Sequence, residues 1–140
     1  MARAPSQRRS RKTAAGAPAN TARGEHTLTL AGKTYRLRPS FEATMAIEDE
    51  TGLSLHELFR KANAMALPYS ELGVICAAYI RAGAGEDDKM TAQVDASRIA
   101  ELIYEEGTTG VYPVLTLLFA DAISGGRTAS GEARAVATTT

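Results

Sequence analysis

The residues with the clearest chemical potential are Gly32, Lys33 and Thr34, which match the end of a phosphate-binding loop, G-x-x-x-x-G-K-[ST]. Such a loop opens with a glycine five residues before the second glycine, so that successive backbone N–H groups can wrap around the phosphates. Here that position holds Thr27. Both flanking segments alternate polar and apolar residues, which indicates a β-hairpin rather than a strand that leads into a helix. We therefore predict that Lys33 is a solvated turn lysine and that no nucleotide is bound.

The histidines, the single cysteine and the paired acids do not form a catalytic or metal-binding pattern. Neither His26 nor His56 has a second histidine or a cysteine at metal-ligand spacing. Cys76 lies on an apolar helical stripe, which favours a buried, inert thiol over a nucleophile. Asp87 and Asp88 lack the D-x-[DN]-x-[DN]-G pattern of a calcium loop. Acids that are distant in sequence could still meet in the fold, but spacing singles out no pair, and we predict no enzymatic activity, metal site or cofactor.

Three consecutive acids, Glu48, Asp49 and Glu50, stand near the C-terminal end of a predicted helix. Negative side chains at that end oppose the helix dipole. The sequence allows two interpretations of this cluster, a solvated face or a docking patch for a basic partner.

Charge is divided between a basic N-terminal arm and an acidic body. Of the 16 basic side chains, six lie in residues 1–24 with no acid, which leaves ten against 16 acidic side chains in residues 25–140. The arm has no large apolar residue after Met1, so it cannot bury enough surface to order itself and is predicted to be disordered. It is either a solvated tail, a segment upstream of the true start codon, or a weak attractant for nucleic acid. The cations concerned are Arg8, Arg9, Arg11 and Lys12.

The composition excludes several other classes of protein. The longest apolar run, Val111 to Ala120, is interrupted by Thr116 and is too short for the roughly 20 residues of a membrane span. One cysteine rules out an intrachain disulfide and fits a reducing compartment. Residues 41–124 carry five basic side chains against fourteen acidic ones, so this part repels phosphates and is a poor DNA reader. We expect a cytoplasmic protein with no membrane partner.

Hydrophobic periodicity and capping residues predict an α+β fold that is mostly α, with an N-terminal β-hairpin packed on a bundle of about five helices. The domain is predicted at residues 25–124, with disorder at residues 1–24 and 125–140. Ser40 is the expected cap of the first helix, Ser54 with Glu57 forms a capping box, S-x-x-E, at the second, and Asp95 is the expected cap of the fourth. The hairpin is predicted at residues 26–38, and the helices at about residues 41–51, 55–66, 69–82 and 96–106, then from a cap at Thr108 or Thr109 to about residue 124.

The last predicted helix is apolar on more than one face. At 100° per residue its apolar side chains spread too widely for one narrow stripe. Such a helix is central in the core or meets a partner, so we predict that it combines core packing with partner binding. The candidate residues are Val111, Val114, Leu115, Leu118 and Phe119.

An ordered string of short motifs runs from the hairpin into the second helix. It comprises the A-G-K turn, then L-R-P-S-F-E-A before a helix, then I-E-x-x-T-G and a serine flanked by leucines. Through this string residues 24–55 resemble the tail assembly chaperone family of gene transfer agents and long-tailed phages. Residues 100–123, AELIYEEGTTGVYPVLTLLFADAI, resemble the last two helices of that family and their glycine-rich corner.

The resemblance implies a small, mostly helical, non-enzymatic cytoplasmic protein of a gene transfer agent or prophage. Members of that family bind the tape-measure protein while the tail is built and are absent from the mature particle. Two other classes stay open. One is a structural minor tail or tail-tube component, which would self-associate into rings. The other is a small DNA-associated regulator that uses the basic arm.

Overall fold

The structure, a computed structural model, describes residues 19–20 and 24–125. It contains a two-stranded antiparallel hairpin followed by five α-helices, which confirms the predicted α+β fold. The predictions of disorder for residues 1–24 and 125–140 fall almost entirely outside the described residues. The elements are β1 (His26–Leu30), β2 (Lys33–Leu37), α1 (Phe41–Thr51), α2 (Leu55–Asn63), α3 (Tyr69–Gly83), a short 3₁₀ turn (Thr91–Gln93), α4 (Ala96–Glu106) and α5 (Val111–Ile123).

The hairpin turns through two residues, Ala31 and Gly32, and Leu30 pairs directly with Lys33. Both turn residues have positive φ, 52° and 80°, as in the type I′ turn that matches the twist of the strands. Glycine adopts this backbone freely, whereas alanine does not. One face of the hairpin is buried and contributes four side chains to the core: Leu28, Leu30, Tyr35 and Leu37.

The predicted N-caps of three helices are present. The Ser40 hydroxyl accepts the N–H of Ala43 at 3.2 Å, and Ser54 with Glu57 forms the reciprocal capping box. The Asp95 carboxylate caps α4 in the same way. Each of these contacts satisfies an N–H that the first turn of a helix leaves without a backbone partner.

The start of α5 and the end of α2 differ from the sequence predictions. Gly110, not Thr108 or Thr109, is the N-cap of α5, and no side chain caps that helix. The backbone carbonyl of Thr108 instead accepts the N–H groups of the first turn. The second helix ends at Asn63, three residues early, because Met65 adopts the left-handed conformation with φ of 54°.

Helix α3 is the centre of the domain and contacts α1, α4 and the hairpin. Two glycines permit these close approaches. A Cβ on Gly73 would collide with Ala96 and Ala100 of α4, and a Cβ on Gly83 would collide with the backbone of Arg36.

The last helix, α5, packs against both α2 and the first strand. On the strand side, the Nε2 atom of His26 lies 3.3 Å from Oδ2 of Asp121. Across the core, the ring of Phe119 meets that of Tyr79 edge-on at 6.2 Å. None of the helices in residues 24–125 has the length and apolar character to span a bilayer.

Candidate protein-binding surface

The residues predicted to bind a partner through α5 lie in the core. Val111, Leu115, Leu118 and Phe119 are buried, and Val114 is partly buried against them. The wide apolar arc of α5 is covered because α2 and β1 pack on different sides of it. The core-packing half of the prediction is therefore confirmed, whereas partner binding through these residues stays a prediction. The large apolar residue of α5 that does face solvent is Leu117, which is 53% exposed.

The first helix carries apolar side chains on its outer surface. Phe41 is 71% exposed and Met45, one turn later, is 45% exposed. Ala43 and Ile47 on the opposite side are buried. Sequence reasoning named the acids of this helix as a possible docking patch but missed its apolar outer side chains. A signal for them existed, since the helix has one apolar pair on each of two faces and is only weakly amphipathic.

Exposed carboxylates share that outer surface. Glu42, Asp49 and Glu50 are exposed, and within the described part of the chain none of them forms an ion pair. Glu48 differs, because its Oε2 accepts the N–H of Leu55 at 2.8 Å and so helps to cap α2. We call the exposed half of this helix the α1 face; it comprises Phe41, Glu42, Met45, Ala46, Asp49 and Glu50.

An open groove of about 490 Å³ borders the α1 face, between α1 and the C-terminal half of α3. Glu42 and Ala46 contribute to its α1 side. Arg38 and Arg81 also line the groove, and Arg81 donates from Nε and Nη2 to the carbonyl of Val94, at 2.9 and 2.7 Å. The arginines of the groove therefore lie near the start of α1, where Glu42 is also exposed, whereas the last turn of α1 has exposed acids and no base.

A second groove, of about 270 Å³, lies between the end of α2 and the start of α5. The hydroxyl of Tyr112 accepts the N–H of Leu67 at 3.2 Å and donates to its carbonyl at 3.1 Å, which fixes the α2–α3 loop against α5. Met65 lines this groove and is 69% exposed.

Lys33 and Cys76, which the sequence raised as candidates for chemistry, lie in surroundings that do not favour reactivity. Lys33 follows the hairpin turn, with Nζ 3.5 Å from the Thr91 hydroxyl and 5.1 Å from the centre of the Tyr35 ring. Burial raises the pKa of the Cys76 thiol to about 12, so it is protonated at neutral pH. In residues 19–20 and 24–125, no three side chains among the histidines, cysteine and acids come together as metal ligands.

Comparison with known proteins then assigns the family. Residues 23–125 match the family described as phage tail tube protein, GTA-gp10. No curated protein and no solved structure matches the chain. The matched segment contains the hairpin and all five helices, which is most of the chain and includes the α1 face. The chain therefore belongs to the phage tail tube protein, GTA-gp10 family, and its relationship to gene transfer agent and phage tail proteins is established at that level.

Proposed function

We propose that this protein is a non-enzymatic tail assembly chaperone of a gene transfer agent or prophage that binds the tape-measure protein. Family membership supplies the coarser statement, a structural or assembly role in a phage tail. The proposal adds the step at which the protein acts and the partner that it binds. It also places the protein in the cytoplasm during assembly and outside the finished particle.

The observation that carries the proposal is the apolar half of the α1 face. Within residues 24–125 the structure buries 24 apolar residues, yet it leaves Phe41 and Met45 in water on a helix whose other face packs into the core. An apolar outer surface on a helix whose inner surface already packs the core is typical of a helix that meets a partner.

The tape-measure protein is a suitable partner for such a surface. A tape measure is a long helical chain, and it must be kept soluble until the tail tube polymerises around it. Its apolar stripe can be covered by another helical surface, as in recognition of an amphipathic helix by an apolar groove. Such cover has to be reversible, which fits a modest exposed patch better than a large obligate interface.

A structural minor tail or tail-tube component is the second candidate, and the family description favours it directly. A ring subunit needs two different surfaces that bind head to tail. The structure offers further exposed apolar side chains away from α1, since Met65 lines the α2–α5 groove and Leu117 of α5 is also exposed. A regulator that uses the basic arm would instead depend on residues outside the described structure.

Co-expression with the tape-measure gene of the same cluster, followed by pull-down, tests the proposal. We expect the two proteins to co-purify, and we expect mass spectrometry of purified particles to lack this chain. Stoichiometric presence in particles, with ring formation by the purified protein alone, would establish the structural role instead. Salt-sensitive DNA binding that is lost on deletion of residues 1–23 would support the regulator.

A further inference from the structure

We infer that the α1 face binds an amphipathic helix whose apolar stripe is flanked by lysine or arginine. The identification of that helix as part of the tape-measure protein rests on the proposed function. The chemistry of the partner, an apolar stripe with positive flanks, follows from the surface itself.

The side chains of the α1 face form two parallel rows. Phe41, Met45 and Asp49 are spaced by four residues, and so are Glu42, Ala46 and Glu50. Rows of this spacing are the ridges that interdigitate when two helices pack. Because α1 has 11 residues, the face is about 16 Å long, enough for roughly three turns of a partner helix. Phe41 and Met45 supply the apolar contact at one end of the first row, and Ala46 allows close approach on the second.

Charge complementarity selects a basic partner. The α1 helix contains no lysine or arginine, and its last turn holds only acidic charges. Asp49 and Glu50 lie at the negative end of the helix dipole, which disfavours them in the free protein. A cation from a partner would relieve both the mutual repulsion and the unfavourable dipole contact. These acids therefore lower the stability of α1 in the free protein, and a bound cation would remove that penalty.

The charges at the two ends of the face differ. Arg38 and Arg81 line the groove near the start of α1, whereas Asp49 and Glu50 stand at its end. The cations of the bound helix are therefore expected above the C-terminal half of α1. The preference for a cation is weaker at the other end, where Arg38 and Arg81 lie near the exposed carboxylate of Glu42.

Helix α4 can be compared with α1, because both helices end in exposed acids. In α4 these acids are Glu105 and Glu106, with no base in the last turn. However, Arg98 on the same helix pairs with Glu101 at 2.7 Å, and the exposed Tyr104 ring already packs edge-on against Tyr69. The acids of α4 therefore lack the free apolar row that accompanies those of α1.

Three double variants separate these contributions. D49K/E50K reverses the charge of the α1 face, and F41A/M45A removes its apolar row. E105K/E106K makes the same charge change on α4 and is the matched control. All six positions are exposed, so each variant should fold, as circular dichroism can verify, and the two charge reversals should melt no lower than the wild type because lysine is favourable at a helix C-terminus.

With the tape-measure protein as the probe, isothermal titration should show affinity lowered at least about tenfold by each α1 variant, which is about 1.4 kcal/mol. The α4 control should stay within about twofold, and wild-type affinity should fall as salt rises. Folded α1 variants that bind like the wild type, or an α4 control that loses as much affinity, would overturn the inference.

A second probe separates this inference from the proposed function. Two synthetic helical peptides of about five turns share a leucine stripe and differ in lysine or glutamate flanks. NMR titration should shift the amide signals of α1 with the lysine peptide, and D49K/E50K should remove the effect. If the wild type ignores the tape-measure protein but binds the lysine peptide at α1, the proposed function fails and the surface assignment stands. No preference for lysine over glutamate flanks refutes the surface assignment.

Discussion

Arg36 and Gly83 join the hairpin to the end of α3 by two contacts at once. The Arg36 Nε donates to the carbonyl of Gly83 at 2.7 Å, while the α-carbon of Gly83 approaches the Arg36 backbone so closely that a Cβ has no room. The rigid atoms on the strand side cannot move aside as a flexible side chain could. The hairpin, which would be marginal on its own, is thereby fixed to the central helix.

Gly83→Ala should therefore destabilise the domain by about 2–3 kcal/mol through overpacking. Urea unfolding followed by circular dichroism measures the change. Gly85→Ala is the control, because a Cβ there would meet only the Arg36 guanidinium at 3.8 Å, an ordinary contact. Equal stability of the two variants would contradict this account.

Met65→Gly should stabilise the protein by about 0.5–1 kcal/mol. Met65 holds the left-handed position of a Schellman motif, in which its N–H bonds to Ala62 and the next N–H bonds to Lys61. Glycine takes this backbone without strain, whereas methionine does not. Thermal melting measures the gain. Met90→Gly is a suitable control, since Met90 is also exposed but has a φ of −69°, and its replacement should not raise the melting temperature.

Neighbouring leucines of α5 should respond oppositely to the same change. Leu118→Asp buries a carboxylate without a partner, which costs several kcal/mol on the usual scale and should unfold the domain. Leu117→Asp places the charge in water and should leave helicity and melting nearly unchanged. Circular dichroism of both variants checks the pair, and pull-down with Leu117→Asp then reports whether α5 binds a partner. Unfolding of the Leu117 variant would show that its surface is covered.

Cys76 should make stability depend on alkaline pH. Burial raises the pKa of this thiol from 9.0 to about 12, so the folded state retains a proton that the unfolded state releases. This contribution is fully present below pH about 9 and is lost as pH rises towards 12, by about 1 kcal/mol per pH unit. Urea titrations at several pH values measure the slope, and Cys76→Ala should flatten it near pH 9–10. Tyr79 adds to the slope above pH 10, because burial raises its pKa to about 12.

Native Cys76 should also resist thiol reagents at pH 8 and react fully in denaturant. Rapid modification of the folded protein would contradict both its burial and its raised pKa.

Lys33→Ala should change stability by less than about 1 kcal/mol, since Lys33 is itself exposed and its contacts with the Thr91 hydroxyl at 3.5 Å and the Tyr35 ring at 5.1 Å are weak. We expect no ATP binding by either protein in isothermal titration. Tight nucleotide binding by the wild type that the variant loses would restore the phosphate-loop interpretation.

Turns and helix caps could be predicted from the sequence, whereas the packing of the helices and strands against one another could not. Alternation around Gly32 predicted the hairpin, and the capping side chains of Ser40, Ser54 and Asp95 predicted three helix starts. The early end of α2 escaped prediction because Met65 occupies a backbone position that normally calls for glycine. No local sequence pattern predicts that a methionine will occupy such a position.

The candidate surface was harder to predict for a related reason. The apolar side chains of α5 cover a wide arc, which the sequence suggested would be partly free to bind a partner. Whether the arc is covered depends on where α2 and β1 pack, and the spacing of apolar residues along the sequence does not reveal that packing. Conversely, Phe41 and Met45 are exposed because Ala43 and Ile47, on the other face of α1, are the residues that reach the core. Both outcomes are decided by the arrangement of elements in space.

The contact between His26 and Asp121 brings the first strand beside the last helix, so the entry and exit points of the domain are neighbours. A short linker could then join them, and new termini could be opened in the exposed loop at residues 85–89 without removing any helix or strand. Purification tags or fluorescent proteins fused directly to residue 24 or residue 125 of a trimmed chain would be attached on one side of the molecule. Such a rearranged chain would carry every residue of the α1 face on an unbroken helix.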